Sequence, residues 1–230
     1  MKQHNVEMNI LVKGKPIKEY SHNGNTYVEG RHGSEFEIQI KNHNYFQIEA
    51  VISVDGLSIT DGKSAGESSK GYLLHSQETI TIPGWKLDND SAAAFFFSTK
   101  KESYAANNEE GSTRNNGVIG LMIFGEKIPY PVLRTLYAIT PMNCASTMTL
   151  NSTNIVASSA IGTGFGNETD FKTKSVNFNR GDLLGISTIY YDTKEGLSKR
   201  GIKFVSKRKN REPNPFPAMG CTPPKNWRRG

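Results

Sequence analysis

Phe36-Glu-Ile-Gln-Ile-Lys41 and, after a short gap, Phe46-Gln-Ile-Glu-Ala-Val-Ile-Ser-Val54 decide how the rest of the chain reads. The first alternates apolar and polar residues with a period of two. That puts Phe36, Ile38 and Ile40 on one face of an extended strand and Glu37, Gln39 and Lys41 on the other. The second alternates and then becomes continuously apolar, as a strand does where it is covered on both faces. Outward from these, Thr79-Ile-Thr-Ile82 alternates again. Ala92-Ala-Ala-Phe-Phe-Phe-Ser98, Gly117 to Phe124, Ser175-Val-Asn-Phe178 and Ser187-Thr-Ile-Tyr-Tyr191 are short apolar, β-branched or aromatic runs bounded by Gly, Asn or Asp, and read as further strands. Asn23-Gly24, Asp55-Gly56, Asp61-Gly62 and Asn116-Gly117 accept the positive φ of tight turns, and Pro83-Gly84 punctuates the chain before Trp85.

Short strands with turn signals every ~8–12 residues predict an all-β fold, an antiparallel β-sandwich of jelly-roll-like kind, rather than a parallel α/β sheet. Helix has two local candidates, Ala92 to Phe97 and a minority segment around Asp192 to Arg200. The expected body spans residues 1–205. It begins with a hairpin over 8–20 that turns at Gly14-Lys15 and leads to a first body strand at Thr26-Tyr-Val28. A loop-rich excursion is expected from Pro129 to Gly166, with Tyr130, Leu133, Leu136, Tyr137 and Ile139 supplying some core.

The 230 residues, 36% of them hydrophobic, fit one large or two small soluble domains and exclude a fibre or a disordered chain. The best apolar run, Gly117 to Gly125, falls short of the roughly 18 residues a spanning helix needs, so no membrane is expected as a partner. Met1-Lys-Gln-His-Asn-Val lacks an apolar export core, which predicts no signal peptide. On that expectation the glycosylation matches Asn151-Ser-Thr153 and Asn167-Glu-Thr169 read as accidental. Cys144 and Cys221 are too few for a disulfide framework, although one bridge between them would tie the tail to the body.

The net charge of +6 is unevenly spread. Residues 1–198 carry 18 Lys and Arg against 21 Asp and Glu, a net of −3, whereas residues 199–230 carry ten basic residues against the single acid Glu212, a net of +9. Residues 206–230 also hold five prolines and few aliphatic side chains, so this stretch cannot bury enough surface to fold alone. It is predicted to be an extended basic arm. Its candidate partner-binding residues are Lys207, Arg208, Lys209 and Arg211, with Phe216 and Trp227 as apolar anchors and Arg228 and Arg229 at the end. The same residues suit nucleic acid, with the cations on phosphates and Trp227 stacked on bases. Protein contact is the preferred reading because the body supplies no second basic surface to extend a groove.

Other motifs point to turns before chemistry. Asp88 and Asp90 form a carboxylate pair of the kind a glycoside hydrolase uses, but Asx-rich residues after Pro-Gly-Trp more commonly cap their own backbone. Asp55 to Gly62 offers oxygen ligands without the spacing of a calcium loop. Gly162-Thr-Gly-Phe-Gly166 lacks the Lys-Ser/Thr of a phosphate loop and reads as a flexible glycine loop. His4, His22, His32, His43 and His75 show no metal-ligand spacing. The residues therefore predict no catalytic site, no cofactor and no metal. Tyr72, Trp85, Tyr104, Tyr190 and Tyr191 are candidates either for the core or for stacking on sugar rings.

Several stretches carry a resemblance. They are Tyr27-Val-Glu-Gly-Arg-His-Gly-Ser-Glu-Phe36, Val54-Asp-Gly-Leu-Ser58 with Asp61-Gly-Lys63, Ile82-Pro-Gly-Trp-Lys-Leu-Asp88, Ser103-Tyr-Ala105 and Gly117-Val-Ile-Gly120. To these are added Tyr190-Tyr-Asp192 with Gly196-Leu and Arg200-Gly-Ile202, and the closing Phe216-Pro and Cys221-Thr-Pro-Pro-Lys-Asn-Trp227. Together they resemble a family of largely uncharacterised proteins encoded by tailed bacteriophages and by some bacteria, over nearly the whole chain except Pro129 to Ala160. The family has no established activity or catalytic residues to carry over. The resemblance implies a non-enzymatic virion component of the capsid, the neck and collar or the tail. Its localisation would be the virion, and its partners other virion proteins and copies of itself. A carbohydrate-binding or receptor-contacting decoration is the alternative, with nucleic-acid binding through the basic tail third.

Overall fold

The computed structural model describes residues 1–127 and 159–204. In chain order the strands are β1 (Lys2–Gln3), β2 (Val6–Val12), β3 (Lys15–Pro16), β4 (Glu19–His22), β5 (Asn25–Glu29), β6 (Glu35–Asn42), β7 (Ile48–Val54), β8 (Leu57–Ser58), β9 (Tyr72–Leu74), β10 (Thr79–Ile82), β11 (Gly84–Lys86) and β12 (Ser91–Thr99). A one-turn helix α1 (Tyr104–Asn107) follows, then β13 (Val118–Glu126), β14 (Ile161–Asp170), β15 (Arg180–Asp192) and a second short helix α2 (Lys194–Lys199).

These strands make two sheets. One is ordered β1-β2-β6-β12-β11, with β3 on β2, β10 on β6 and β14 on β12. The other is ordered β4-β5-β15-β13-β7-β8, with β9 also on β7. The protein is an all-β sandwich. Among the described residues every pairing is antiparallel except that of β5 with β15, where Thr26 to Glu29 run parallel beside Ile189 to Asp192.

The period of two in β6 has the predicted result: Phe36, Ile38 and Ile40 are buried while Glu37, Gln39 and Lys41 are not. Their faces meet Met8 and Ile10 of β2, Ile48, Ala50 and Ile52 of β7, and Ile119, Leu121 and Ile123 of β13 in one continuous core. Each of these side chains removed from water contributes about 1.5–3 kcal/mol before chain entropy is counted. An aromatic group closes one end, with Phe36 stacked on Phe97 at 4.4 Å and on Phe95 at 5.3 Å, and Trp85 edge-on to Phe95 at 5.3 Å.

Between β6 and β12 the first sheet changes partner. Ile82 lies opposite Ile38 on β6, and two residues later Gly84 lies opposite Ala94 on β12. Pro83 sits at the switch, where a residue without an N–H takes nothing from either ladder. Its carbonyl accepts from Phe95 N–H at 3.0 Å. Gly84 is so close to β12 that a Cβ there would lie 1.9 Å from the Ala93 carbonyl oxygen.

The structure corrects several local expectations. Ala92 to Phe97 is strand, because Phe95 and Phe97 have a core to enter while Ala92 to Ala94 pair with β11; tertiary burial overrides the helix propensity of alanine. The first hairpin turns at Lys13-Gly14, both at positive φ, and not at Gly14-Lys15. Ser175 to Phe178 forms no strand. Val176 is exposed, and the segment around it is tied only at intervals, by Phe171 N–H to Asp90 O, Thr173 N–H to Asn89 O and Lys127 N–H to Asn179 O. Gly162 to Gly166 is strand, not loop. Gly164 faces Phe96 across the ladder, and a Cβ there would lie 2.2 Å from the ring, so the bare backbone lets the aromatic lie flat over the strand. The helix expected around Asp192 to Arg200 is present as α2, capped by Thr193 Oγ1 accepting from Gly196 N–H. The rest of the Pro129 to Gly166 excursion before residue 159, with Cys144, and the arm with Cys221 lie outside the described residues.

Candidate functional site

Several of the stretches that carry the resemblance meet through hydrogen bonds, those that hold Asp55, Ser103, Gly117 and Tyr191. Asp55, in the β7–β8 turn, is 1% exposed although the chain reads there as a surface turn. Its Oδ1 accepts from Tyr191 O–H at 2.6 Å and Gly117 N–H at 2.8 Å, and its Oδ2 accepts from Thr163 N–H at 2.7 Å. Tyr191 Oη also lies 2.7 Å from Thr163 Oγ1. Because Thr163 belongs to one sheet and Tyr191 to the other, the carboxylate pins the two sheets together. Burial pushes the Asp55 carboxyl up to about 6, against the hydrogen bonds from Tyr191, Thr163 and Gly117, which favour the carboxylate. Burial, followed by the neighbouring Asp55 charge, pushes the Tyr191 phenol up as well.

Asp192, next in the chain, is also buried. It accepts from Ala160 N–H at 3.1 Å and from its neighbour Thr193 N–H at 2.8 Å, with Arg200 at 3.5 Å. Gly196 lets α2 close over it, since a Cβ there would meet the carboxylate at 2.4 Å. Ser103 Oγ accepts from Asn116 Nδ2 and from Ala106 N–H, capping α1. The arrangement is built for rigidity: each acid here is occupied by backbone donors, a tyrosine hydroxyl or an arginine. The one sequence signal for Asp55 is an acid directly after the mostly apolar strand β7, a position that ends inside the fold.

Asp88 accepts from Asp90 N–H, Ser91 N–H and Ser91 Oγ, and these hydrogen bonds hold it below the usual carboxylate range. It closes its own turn, as expected for Asx residues there. Among the described residues no three His, Cys, Asp or Glu side chains group to hold a metal. His43 pairs with Glu7 at 3.0 Å and His32 with Glu102 at 3.6 Å.

Of the five aromatics weighed for sugar stacking, Trp85 and Tyr191 are core residues, with Trp85 Nε1–H donating to Gly164 O at 3.0 Å. Tyr72, Tyr104 and Tyr190 are half-buried. The aromatic presented to solvent is one that sequence reasoning missed. Tyr45 is 93% exposed beside Phe46 at 51%, on the β6–β7 loop. The ends of that loop are tied by the buried Asn42 amide, which donates to the carbonyls of Phe46, Leu74 and His75 and accepts from Asn44.

On the second sheet's outer side, Arg180 clamps Glu49 through Nη2 and Nε, at 2.5 and 2.7 Å. It also donates to the carbonyls of Glu67 and Ser69 and lies over the Phe124 ring. Arg180→Ala strands a mostly buried carboxylate and frees the 67–71 loop. It is expected to cost about 2–3 kcal/mol in urea unfolding and to speed amide exchange at Gly71, whose N–H donates to Glu49.

Two clefts flank the tip of the β2–β3 hairpin. The larger, about 710 Å³, is lined by Lys13, Glu35, Glu37, Phe36, Pro83 and Glu168. The smaller, about 500 Å³, shares Val12, Lys13 and Ser34 with it and is lined by Lys15, Lys18, Tyr20, Glu29 and Arg31. The predicted arm residues Lys207, Arg208, Lys209, Arg211, Phe216, Trp227, Arg228 and Arg229 lie outside the described residues. The described chain runs to Phe204, which packs edge-on against Tyr20 at 5.0 Å. No protein-family model, no curated protein and no solved structure matches the chain.

Proposed function

We propose that the chain is a non-enzymatic structural protein of a tailed-bacteriophage virion, mounted at the capsid, the neck and collar or the tail. In this reading it assembles through contacts with its own copies and with other virion proteins. The observation that carries the reading is the uneven charge of the chain: residues 1–204, with 21 basic and 21 acidic side chains, are net neutral, and residues 205–230, with seven basic side chains against Glu212, are net +6. A folded body followed by a cationic, proline-rich sequence suits a subunit that packs symmetrically and makes further contacts through that sequence. The resemblance to phage-encoded proteins points the same way, and Asp88, the acid considered for hydrolysis, is occupied by its own turn. Mass spectrometry of purified particles of the encoding phage is expected to recover the protein at a fixed copy number. Its absence from the particles would overturn the reading.

A second reading, a receptor-contacting decoration, is favoured by Tyr45, an aromatic face held out to solvent on a loop whose ends are tied. It predicts glycan-array binding that Tyr45→Ala abolishes without a change in melting temperature; no binding above background removes it.

A further inference from the structure

Among the described residues β14 has one ladder partner, β12, so one of its edges is open. The other strands with a single partner, β1, β3, β4, β8, β9, β10 and β11, are four residues or shorter, whereas β14 has ten. Short edge strands offer little to pair with, and a long one is a template for another strand. The extended run continues past Asp170, since Phe171 N–H donates to Asp90 O at 2.8 Å and Thr173 N–H to Asn89 O at 2.7 Å, in the chain just ahead of β12. In an extended chain the backbone groups of successive residues point to opposite edges. Those of Phe171 and Thr173 point to the β12 side, so those of Glu168, Asp170 and Lys172 point to the open edge, where none has a backbone partner among the described residues.

The sequence along this edge is Glu168-Thr-Asp-Phe-Lys-Thr-Lys174. It is antisymmetric about Phe171: read in reverse, each acid falls on a lysine and each threonine on a threonine. Burial alternates in step. Glu168, Asp170, Lys172 and Lys174 are exposed, whereas Thr169, Phe171 and Thr173 are half-buried, so the charges share the outer face. None of them has an ion-pair partner among the described residues. An edge with charges of one sign repels its own copy. This order attracts it, because antiparallel pairing about Phe171 sets Glu168 opposite Lys174 and Asp170 opposite Lys172. The backbone agrees with that register, since Asp170 and Lys172, whose N–H and C=O groups point outward, are the residues that meet and exchange hydrogen bonds.

We propose that residues 168–174 pair antiparallel with the same residues of a second copy, about a two-fold axis at Phe171, so that the first sheets of two molecules run on into one. The inference rests on the self-assembling role proposed above and adds which surface is used and in which register. A two-fold contact of this kind is closed, so it gives dimers and not filaments. The bulge at Gly166-Asn167, where two residues of β14 stand against Ala94, bounds the pairing on one side.

The test is charge reversal in the full chain, read by sedimentation velocity at low and at moderate salt. Wild type is expected to form dimers, more weakly as salt rises. The acid variant, Glu168→Lys with Asp170→Lys, and the lysine variant, Lys172→Glu with Lys174→Glu, each present one sign along the edge. Each is expected to dimerise at least tenfold more weakly. An equimolar mixture of the two is expected to pair again, and so is the chain carrying all four substitutions, whose order is inverted but still antisymmetric. Melting curves establish that the variants fold; should either fail to, Lys172→Gln with Lys174→Gln is expected to weaken dimerisation about threefold. A monomeric wild type, single-sign variants that dimerise as wild type does, or a mixture that stays monomeric overturns the proposal. Recovery of the protein from particles alongside any of those results would leave the virion role standing and remove only this edge. Dimers that obey the charge rule in a protein absent from particles would do the reverse.

Discussion

Asp55→Asn is expected to lower the unfolding free energy by about 2–3 kcal/mol, because an amide supplies one acceptor oxygen where the carboxylate supplies two. Either Thr163 N–H, or Gly117 N–H together with Tyr191 O–H, is left facing an NH₂ group in the interior. Urea unfolding should show a lower midpoint at unchanged slope, and a midpoint equal to wild type would contradict the pinning role of this residue. The pH dependence carries a second signature. The Asp55 carboxyl is raised in the folded state, so the unfolded chain loses this proton at lower pH than the folded one. Its contribution is fully present below about pH 4 and is lost as pH rises through about 6, a change of about 3 kcal/mol. The difference in stability between wild type and Asp55→Asn should therefore vary with pH across that interval and level off on either side. A difference constant from pH 4 to 7 would show that Asp55 does not titrate there.

Gly84→Ala is expected to be as damaging, by a different route. The added methyl would lie 1.9 Å from the Ala93 carbonyl, and the obstacle is backbone, which cannot swing aside. Relief requires β11 to move off β12 at the point where the strand changes partner, breaking the pairing of Gly84 with Ala94 and disturbing Trp85 one residue on. A loss of about 3 kcal/mol or more is expected, lowering the melting temperature by about 6–12 °C for a chain of this size. Gly66→Ala is the control. Nothing lies within 4 Å of a Cβ there, and its effect should stay within about 0.5 kcal/mol. Equal melting temperatures for the two variants would place the partner switch elsewhere.

The sandwich was legible because its strands carry their burial pattern in the residues themselves. Phe36, Ile38 and Ile40 declare one face, and the Ala50-Val-Ile52 run within β7 declares a strand covered on both. Failures arose where identity is set by a distant partner. Ala92 to Ala94 has helical propensity and becomes strand only because β11 and the core receive it. Ser175 to Phe178 has strand composition but no ladder to join. The glycines of 162–166 suggest freedom until Phe96, nearly 70 residues away, is seen to need them bare. Asp55 was hardest, because Asp-Gly is a sound turn signal and is a turn here. What no local pattern conveys is that Thr163 and Tyr191, more than 100 residues later, close over it. Glu35 and Glu37 lie on the polar face of β6 and Glu168 in the polar end of β14, and only the topology sets them beside one another.

The parallel pairing of β5 with β15 has a consequence for timing. Residues 26–29 wait for residues 189–192 before they acquire their second edge, and Tyr20 and Tyr27 wait longer still for Leu197, Ile202 and Phe204. The cluster of Tyr20, Tyr27, Leu197, Ile202 and Phe204 is thus among the last surfaces a growing or refolding chain can complete, since its contacts span most of the sequence. A polypeptide interrupted before residue 180 lacks β15, the strand that joins β5 to β13, so its second sheet stays in two pieces. The second sheet is therefore closed only when the C-terminal part of the described chain has been made, which ties completion of the sandwich to completion of the chain.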